Sequence, residues 1–397
     1  MYFGCLNKSD YICNYNKFVY TMIKFHDVKT TDRELVQSYT LCSDRQNCDL
    51  SFANIISWRF LYNTQIAEVD GFLVFRFYIG HHLAYMAPVW KGEWNELMSE
   101  PFAKVVRQMR DDSITLGHPF LMLGVCTNMV EILENIFPDT FYIKPDRDYF
   151  DYIYTREKLA TLAGKKLQSK RNHCNRFRKT YPNYEYRPLT KDMIPECLAV
   201  EANWRTVTKE DNNEEEELSE ELRSMTRVFE LWDEVGALGG TIWVDGKLIA
   251  FTFGCPITNR TFDVCVEKAD TAYEGAFSII NQEFAMHLPE QYEYMNREED
   301  LGLEGLRYAK LSYKPDILLE KNVVMEKLPL AQEENQERIK EETISLWRDT
   351  FHDPEAFIEL YFSRVFKPEY NVTCQLNQHT VAALQTLPYQ LNIIIKR

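Results

Sequence analysis

Two Asp-Gly pairs, each set between runs of β-forming residues, constrain this chain more than any other feature. Asp70-Gly71 separates Ile66–Val69 from a run ending at Ile79, and Asp245-Gly246 separates Gly239–Val244 from Leu248–Pro256. A two-residue hairpin turn needs positive φ at both central positions, which Asp-Gly tolerates well. Around each hairpin the same order recurs. A helix precedes it (Thr31–Thr40; Lys191–Trp204), a third strand follows (Leu83–Pro88; Thr261–Glu267), then a helix (Trp94–Asp112; Phe277–His287) and another strand (Pro119–Val125; Tyr292–Asn296). Met129–Ile136 adds a helix, and Asp151–Thr155, Tyr184–Pro188 and Ile317–Glu326 add strands. The order begins a third time with a helical pattern broken at His352-Asp353-Pro354 and three strands, Asn371–Leu376, Thr380–Leu387 and Leu391–Ile395. This is an internal repeat of about 130–160 residues, and hairpins followed by helices make the class α/β with mixed (α+β) sheets.

At 397 residues, 45% hydrophobic and 14% aromatic, the chain can fill two to three cores. The expected division is an N-terminal extension (1–21, dispensable), a first unit (22–155), a second unit (156–327) and a partial unit (328–397). No apolar run approaches a membrane span, and residues 1–21 lack the pattern of a secretory signal. The ten cysteines form no CxxC pair and read as free thiols in a reducing cytosol. No cluster has metal-ligand spacing, so no metal is expected.

Against a formal charge of −15, one window is purely basic. Gly164–Tyr181 carries Lys165, Lys166, Lys170, Arg171, Arg176, Arg178 and Lys179 with no acid, and Pro182 stops its helix. Composition leaves two readings open: a solvated helix with a basic face, or a site for the phosphates of a cofactor or an RNA. His173 within it reads as structural. The opposite extreme, Lys209–Glu221, reads as an exposed acidic loop entering a helix. Asn47, Asp49, Ser51, Asn54 and Arg59 are polar residues in an aromatic setting. They line an acceptor site or satisfy buried backbone groups, and the second reading is preferred.

Strand, hairpin strand, strand, glycine turn and helix is a layout that resembles the GNAT acyltransferase fold. There a glycine-bearing turn at a helix N-terminus receives the pyrophosphate of acyl-CoA. Tyr273-Glu274-Gly275-Ala276 sits in the matching place, with a single glycine and an added acid. A closer resemblance, over residues 22–327, is to the DUF2156 family, named for the C-terminal domain of phosphatidylglycerol lysyltransferase. It is carried by GKKLQSKRNHCNRFRKTYPNYEY (164–186), FDVCVEKAD (262–270) and YEYMNREEDLGLEGLRYAKLSYKP (292–315), with NCDLSFANIISWRF (47–60) and DGFLVFRF (70–77) in the first unit. Gly305-Leu306, Lys310 and Tyr313 echo a pattern of Fem-type peptidyltransferases. The resemblance implies tandem GNAT-like acyltransferase domains, with an incomplete third GNAT-like unit after about residue 333.

It further implies an acyl- or aminoacyl-transferase in the cytoplasm, with no cofactor bound permanently. Its donor would be aminoacyl-tRNA, or acyl-CoA as the alternative, and its acceptor an amine or a lipid headgroup. Transfer needs a base, donors for an oxyanion and cations for the donor's phosphates. Glu267, Glu298, Glu299 and Asp300 are candidate bases, although Glu267 could equally pair with Lys268 or Arg297. Asn296 and Arg297 follow a strand end where sites gather. Arg307 and Lys310, three apart on a helix, could hold a phosphate or the carbonyl oxygen, or pair with Glu304 or Asp300. At the join between units, Lys165, Lys166, Lys170, Arg171 and Arg176 would bind the donor's phosphates, with Gly275 at the turn. A non-catalytic binding protein on a degenerate GNAT scaffold is the other reading.

Overall fold

A computed structural model describes residues 22–208, 214–327, 336–351, 353–364, 366–367, 371–376, 379–387 and 390–392. The extension 1–21, part of the acidic run and the last strand's end therefore lie outside the described residues. Both Asp-Gly turns form as expected: Asp70 and Gly71 have φ of 48° and 84°, Asp245 and Gly246 of 48° and 78°. Each closes an antiparallel hairpin, Gln65–Val69 with Phe72–Ile79 and Leu238–Val244 with Lys247–Pro256.

These hairpins lie in two seven-stranded mixed sheets. The first runs His26–Asp27, Gln65–Val69, Phe72–Ile79, His82–Tyr85, Leu121–Cys126, Lys321–Glu326 and Phe141–Pro145. The second runs Ile317–Leu319, Asp151–Thr155, Tyr294–Asn296, Thr261–Ala269, Lys247–Pro256, Leu238–Val244 and Glu185–Pro188. Each has one parallel pair in the corresponding place, His82–Tyr85 beside Leu121–Cys126 and Thr261–Ala269 beside Tyr294–Asn296. The tandem GNAT-like expectation is thus met by two sheets of matching order.

The sheets exchange strands across the expected 155/156 division. Asp151–Thr155 leaves the first sheet and pairs with Tyr294–Asn296 and Ile317–Leu319 in the second. Reciprocally, Lys321–Glu326 inserts between Leu121–Cys126 and Phe141–Pro145 in the first. The single strand expected over Ile317–Glu326 is therefore two strands in two sheets, joined through Glu320. Two short apolar runs, Ile317–Leu319 and Val323–Met325, read as one strand when nothing local marks the change of sheet.

Three cores follow from this arrangement. One lies between the two halves and mixes Val36, Phe52, Ile55 and Phe75 of the first with Val200, Phe229, Phe251 and Phe253 of the second. The others lie on the far sides: Trp90, Phe102 and Phe120 in the first half, and Tyr154, Phe177, Ile279 and Phe284 in the second. Each fully buried apolar side chain contributes about 1.5–3 kcal/mol relative to exposure. Leu73 and Phe75 face the shared core while Phe72 and Val74 face the outer one, so that strand is buried on both faces. Gln336–Phe351 and Glu355–Arg364 pack on Trp347, Ile358, Tyr361 and Phe362, beside a three-stranded sheet of Asn371–Leu376, His379–Leu387 and Gln390–Asn392.

Candidate functional site

The strand exchange brings the polar segment 47–54 against the strand Thr261–Ala269 and the loop 296–300. Asp263 and Cys265 face Asn54 and Ser51, and a register shift before Val266 turns Glu267 to the opposite face, toward Asn281. Asp263 pairs in register with Asn296 of the neighbouring strand. The close approach of strand Lys247–Pro256 is set by Gly254, where a Cβ would lie 1.7 Å from the Asp263 carbonyl oxygen.

Lys321 is the centre of the buried network. Its Nζ contacts Asp151 Oδ1 (2.7 Å), Asp49 Oδ2 (2.8 Å) and Glu299 Oε1 (2.8 Å), and lies 3.5 Å from Cys48 Sγ. The lysine side chain is 2% exposed. Asp151 also accepts from the Cys48 backbone N–H (2.8 Å) and from Asn296 Nδ2 (2.7 Å). Burial pushes the Asp151 carboxyl up to about 6 against the pull of Lys321. Burial opposes the charge on Lys321, yet Asp151, Asp49, Cys48 and Glu299 hold its ammonium well above the ordinary range.

Beside it Asn54 donates from Nδ2 to Glu298 Oε1 (2.8 Å), Asp263 Oδ2 (3.0 Å) and the Cys48 carbonyl (3.2 Å). Asp263 is fully buried, and burial pushes its carboxyl well above the ordinary carboxylate range, with Asp151 and Glu299 adding to the rise. Glu298 is raised in the same direction, by burial first and then by the charge of Asp263. Its backbone N–H donates to Asn296 Oδ1 (2.7 Å), which holds Glu298 at a φ of 56°.

The expected site residues divide by this geometry. Asn296, Glu298 and Lys310 come together at the network. Lys310 is buried, and its Nζ donates to the Glu299 carbonyl. Burial lowers the Lys310 ammonium below the usual lysine range, against Glu298 and Glu299. Glu267 instead pairs with Arg297 (2.9 Å) and accepts from Asn281 (3.1 Å). Arg297 lies 5.0 Å over the Tyr313 ring. Asp300 is held by Arg147 (3.0 Å), the Tyr152 hydroxyl (2.5 Å) and Arg307 (2.7 and 2.9 Å), and Arg307 also meets Asp148 (2.7 Å). Burial raises the Asp300 carboxyl, but the bonds from Arg307, Tyr152, the Gly302 N–H and Arg147 outweigh it and hold the group well below the usual range. That makes Arg307 and Asp300 a structural pair. Among the described residues Glu298 is the expected base without a cation in contact.

The basic window forms a helix, Gln168–Thr180, after a turn at Lys165–Leu167. Leu167, Cys174 and Phe177 face the core. Lys165 and Lys166 are exposed and have no ion pair among the described residues. Lys170 lies 4.3 Å over Tyr313, so the helix reaches the network through Tyr313 and Arg297. Arg171 donates to the carbonyls of Leu162 and Gly164, and Arg176 pairs with Glu274. Gly275 has a φ of 92°, and a Cβ there would lie 3.1 Å from the His173 carbonyl and 3.3 Å from Phe177 Cβ. That glycine is therefore fixed by packing of the basic helix as well as by its turn.

Asp151, Lys321, Cys48, Asp263 and Cys265 were not singled out from sequence. Asp263 and Cys265 had a weak signal as polar residues two apart on a strand. Asp151 and Lys321 had none, because their meeting depends on the strand exchange. Asn54 satisfies the Cys48 carbonyl, as expected, but Asn54 and Asp49 also reach charged side chains of the other half. Arg59 pairs with Asp27 (2.5 Å) away from the network.

The fold, with its two GNAT-like sheets and polar join, is of the acyl- or aminoacyl-transferase kind. The family model for phosphatidylglycerol lysyltransferase, C-terminal, matches residues 42–324, and the chain belongs to that family. Among solved structures it is similar to a conserved protein of unknown function from Bacteroides thetaiotaomicron VPI-5482, with 51% identity, a TM-score of 0.72, 77% of this chain and 100% of that one covered. It also shares its fold with the C-terminal domain (DUF2156) of a putative lysylphosphatidylglycerol synthetase from Agrobacterium fabrum, at 12% identity and a TM-score of 0.54, covering 75% of this chain and 92% of that one. Among curated proteins, an uncharacterized protein from Mycoplasmoides gallisepticum is 24% identical over 177 residues, covering 44% of this chain and 55% of that relative's length. Among the described residues no helix is long and apolar enough to cross a membrane.

Proposed function

We propose that the chain transfers an aminoacyl group from aminoacyl-tRNA to an amine or a lipid headgroup. The observation that carries this reading is the buried polar network at the join of the halves, within reach of an exposed basic helix. Lys165 and Lys166, with Lys170 nearer the network, would meet the donor's phosphates. Lys310 would hold the donor's carbonyl oxygen as negative charge develops there. Glu298 would take the acceptor's proton. Asp263 and Glu298 have no cation in contact among the described residues, and a cationic aminoacyl group would meet them better than a neutral acyl chain.

Acyl-CoA is the weaker alternative as donor. The Gly275 turn packs against the His173 carbonyl, and Glu274, paired with Arg176, sets a carboxylate where a pyrophosphate would approach. The test is transfer of labelled amino acids from a mixed aminoacyl-tRNA pool to phosphatidylglycerol vesicles or small amines. Lys310→Met keeps the side-chain volume and is expected to slow transfer about 100-fold or more while donor binding persists. Equal transfer by Lys310→Met, or none by the unaltered chain, would remove this reading.

A further inference from the structure

Two side-chain clusters of the same composition lie side by side in the network: Cys48, Asp49 and Glu299, and Asp263, Cys265 and Glu298. In each, one thiol and two carboxylates place their ligand atoms within 4.8 Å of one another. The first is filled by a cation from the chain itself, since Lys321 Nζ touches both carboxylates and lies 3.5 Å from the thiol. The second has no ammonium or guanidinium in contact among the described residues. Its polar neighbours are Asn54 Nδ2 and Ser51 Oγ, the latter 3.9 Å from Cys265 Sγ. Cys265 Sγ sits 3.3 Å from Asp263 Oδ2. Asp263 Oδ1, on a residue with no exposed surface, has no hydrogen-bond partner among the described residues. A buried carboxylate oxygen left open costs free energy unless something occupies it.

We propose that Asp263, Cys265 and Glu298 bind a divalent transition-metal ion of the zinc class. The thiol selects against magnesium and calcium, which take oxygen ligands, and a sulfur with two carboxylate oxygens suits zinc or cobalt. Asp263 is paired to both neighbouring strands, and the loop carrying Glu298 is held by backbone bonds to Tyr152 and by Asn296 Oδ1, so the set is pre-formed. Asp263 is buried, while Cys265 and Glu298 are half-buried, which leaves a side for entry and for a fourth ligand. Ser51 supplies a neutral oxygen close by. With the ion bound Glu298 is a ligand, so its role as base in the proposed transfer belongs to the metal-free chain. The proposal stands whichever donor the site takes.

The test uses the full chain, freed of any affinity tag, loaded with Zn²⁺ or Co²⁺ and passed through gel filtration before metal analysis. About one ion per chain is expected to remain, and the cobalt form is expected to show a thiolate-to-cobalt absorption band in the near ultraviolet. Cys265→Ser should remove that band and Asp263→Asn should lower the retained metal at least tenfold, whereas Cys48→Ala, at the cluster already filled by Lys321, should keep both. If Asp263→Asn does not fold, Cys265→Ser, checked by circular dichroism, carries the test alone. Failure of the folded, unaltered chain to retain either metal, or an unchanged cobalt band in Cys265→Ser, overturns the proposal.

Discussion

Lys321→Ala is expected to destabilise the chain by about 3–5 kcal/mol, the cost of removing one partner from a buried ion network. The substitution leaves Asp49, Asp151 and Glu299 facing one another without the ammonium that each contacts at 2.7–2.8 Å. Asp151 is fully buried, so water cannot replace the lost charge. The size of the effect comes chiefly from the uncompensated carboxylates and less from the net worth of the intact network. Adding Asp151→Asn to Lys321→Ala should therefore recover part of the loss, because an amide needs no counter-charge. Denaturant midpoints of the parent and both variants check this. A change below about 1 kcal/mol for Lys321→Ala would place it with exposed ion pairs and contradict the buried network.

Neither half is expected to fold alone. A fragment of residues 22–155 would expose the strand Asp151–Thr155 without its sheet and lack Lys321–Glu326, leaving a gap between Leu121–Cys126 and Phe141–Pro145. A fragment of 156–327 would lack Asp151–Thr155 between Tyr294–Asn296 and Ile317–Leu319. Both would also expose their share of the mixed core around Phe75, Phe229 and Phe253. Such fragments should aggregate or give poorly dispersed amide spectra, and co-expression should restore a soluble complex. A well-dispersed spectrum from either fragment alone would show that the exchanged strand is not needed.

Hairpins, helices and the repeat were legible because their signals are local. Asp-Gly turns dictate φ, and apolar spacing marks the faces of the helices. The strand Phe141–Pro145 was not anticipated, since FYIKP is short, carries a lysine and ends in proline. The exchange was hidden for a different reason: Glu320 carries no turn signal, and only tertiary pairing shows that Lys321 begins a strand of another sheet. The site divides likewise. Asn296, Glu298 and Lys310 stand in a charge-dense segment whose composition drew notice. Asp151 and Lys321 are 170 positions apart in order and single charges at strand ends, and nothing local links them. For Glu267 and Arg307 the sequence already offered Arg297 and Asp300 as partners beside the functional roles, and the fold forms both pairs.

The measurement that tests the central claim most directly is binding of the unaltered chain to charged tRNA, uncharged tRNA and acetyl-CoA, each at two salt concentrations, with Lys165→Glu/Lys166→Glu alongside. These two lysines are exposed and hold no ion pair among the described residues, unlike Arg176, and Arg171 caps two carbonyls, so the variant should remain folded. The account predicts salt-sensitive binding that favours charged tRNA. In the variant, binding should weaken and the slope of log affinity against log salt should flatten by about one for each lost phosphate contact. Binding to acetyl-CoA alone, or tRNA binding indifferent to both salt and the two substitutions, would contradict it.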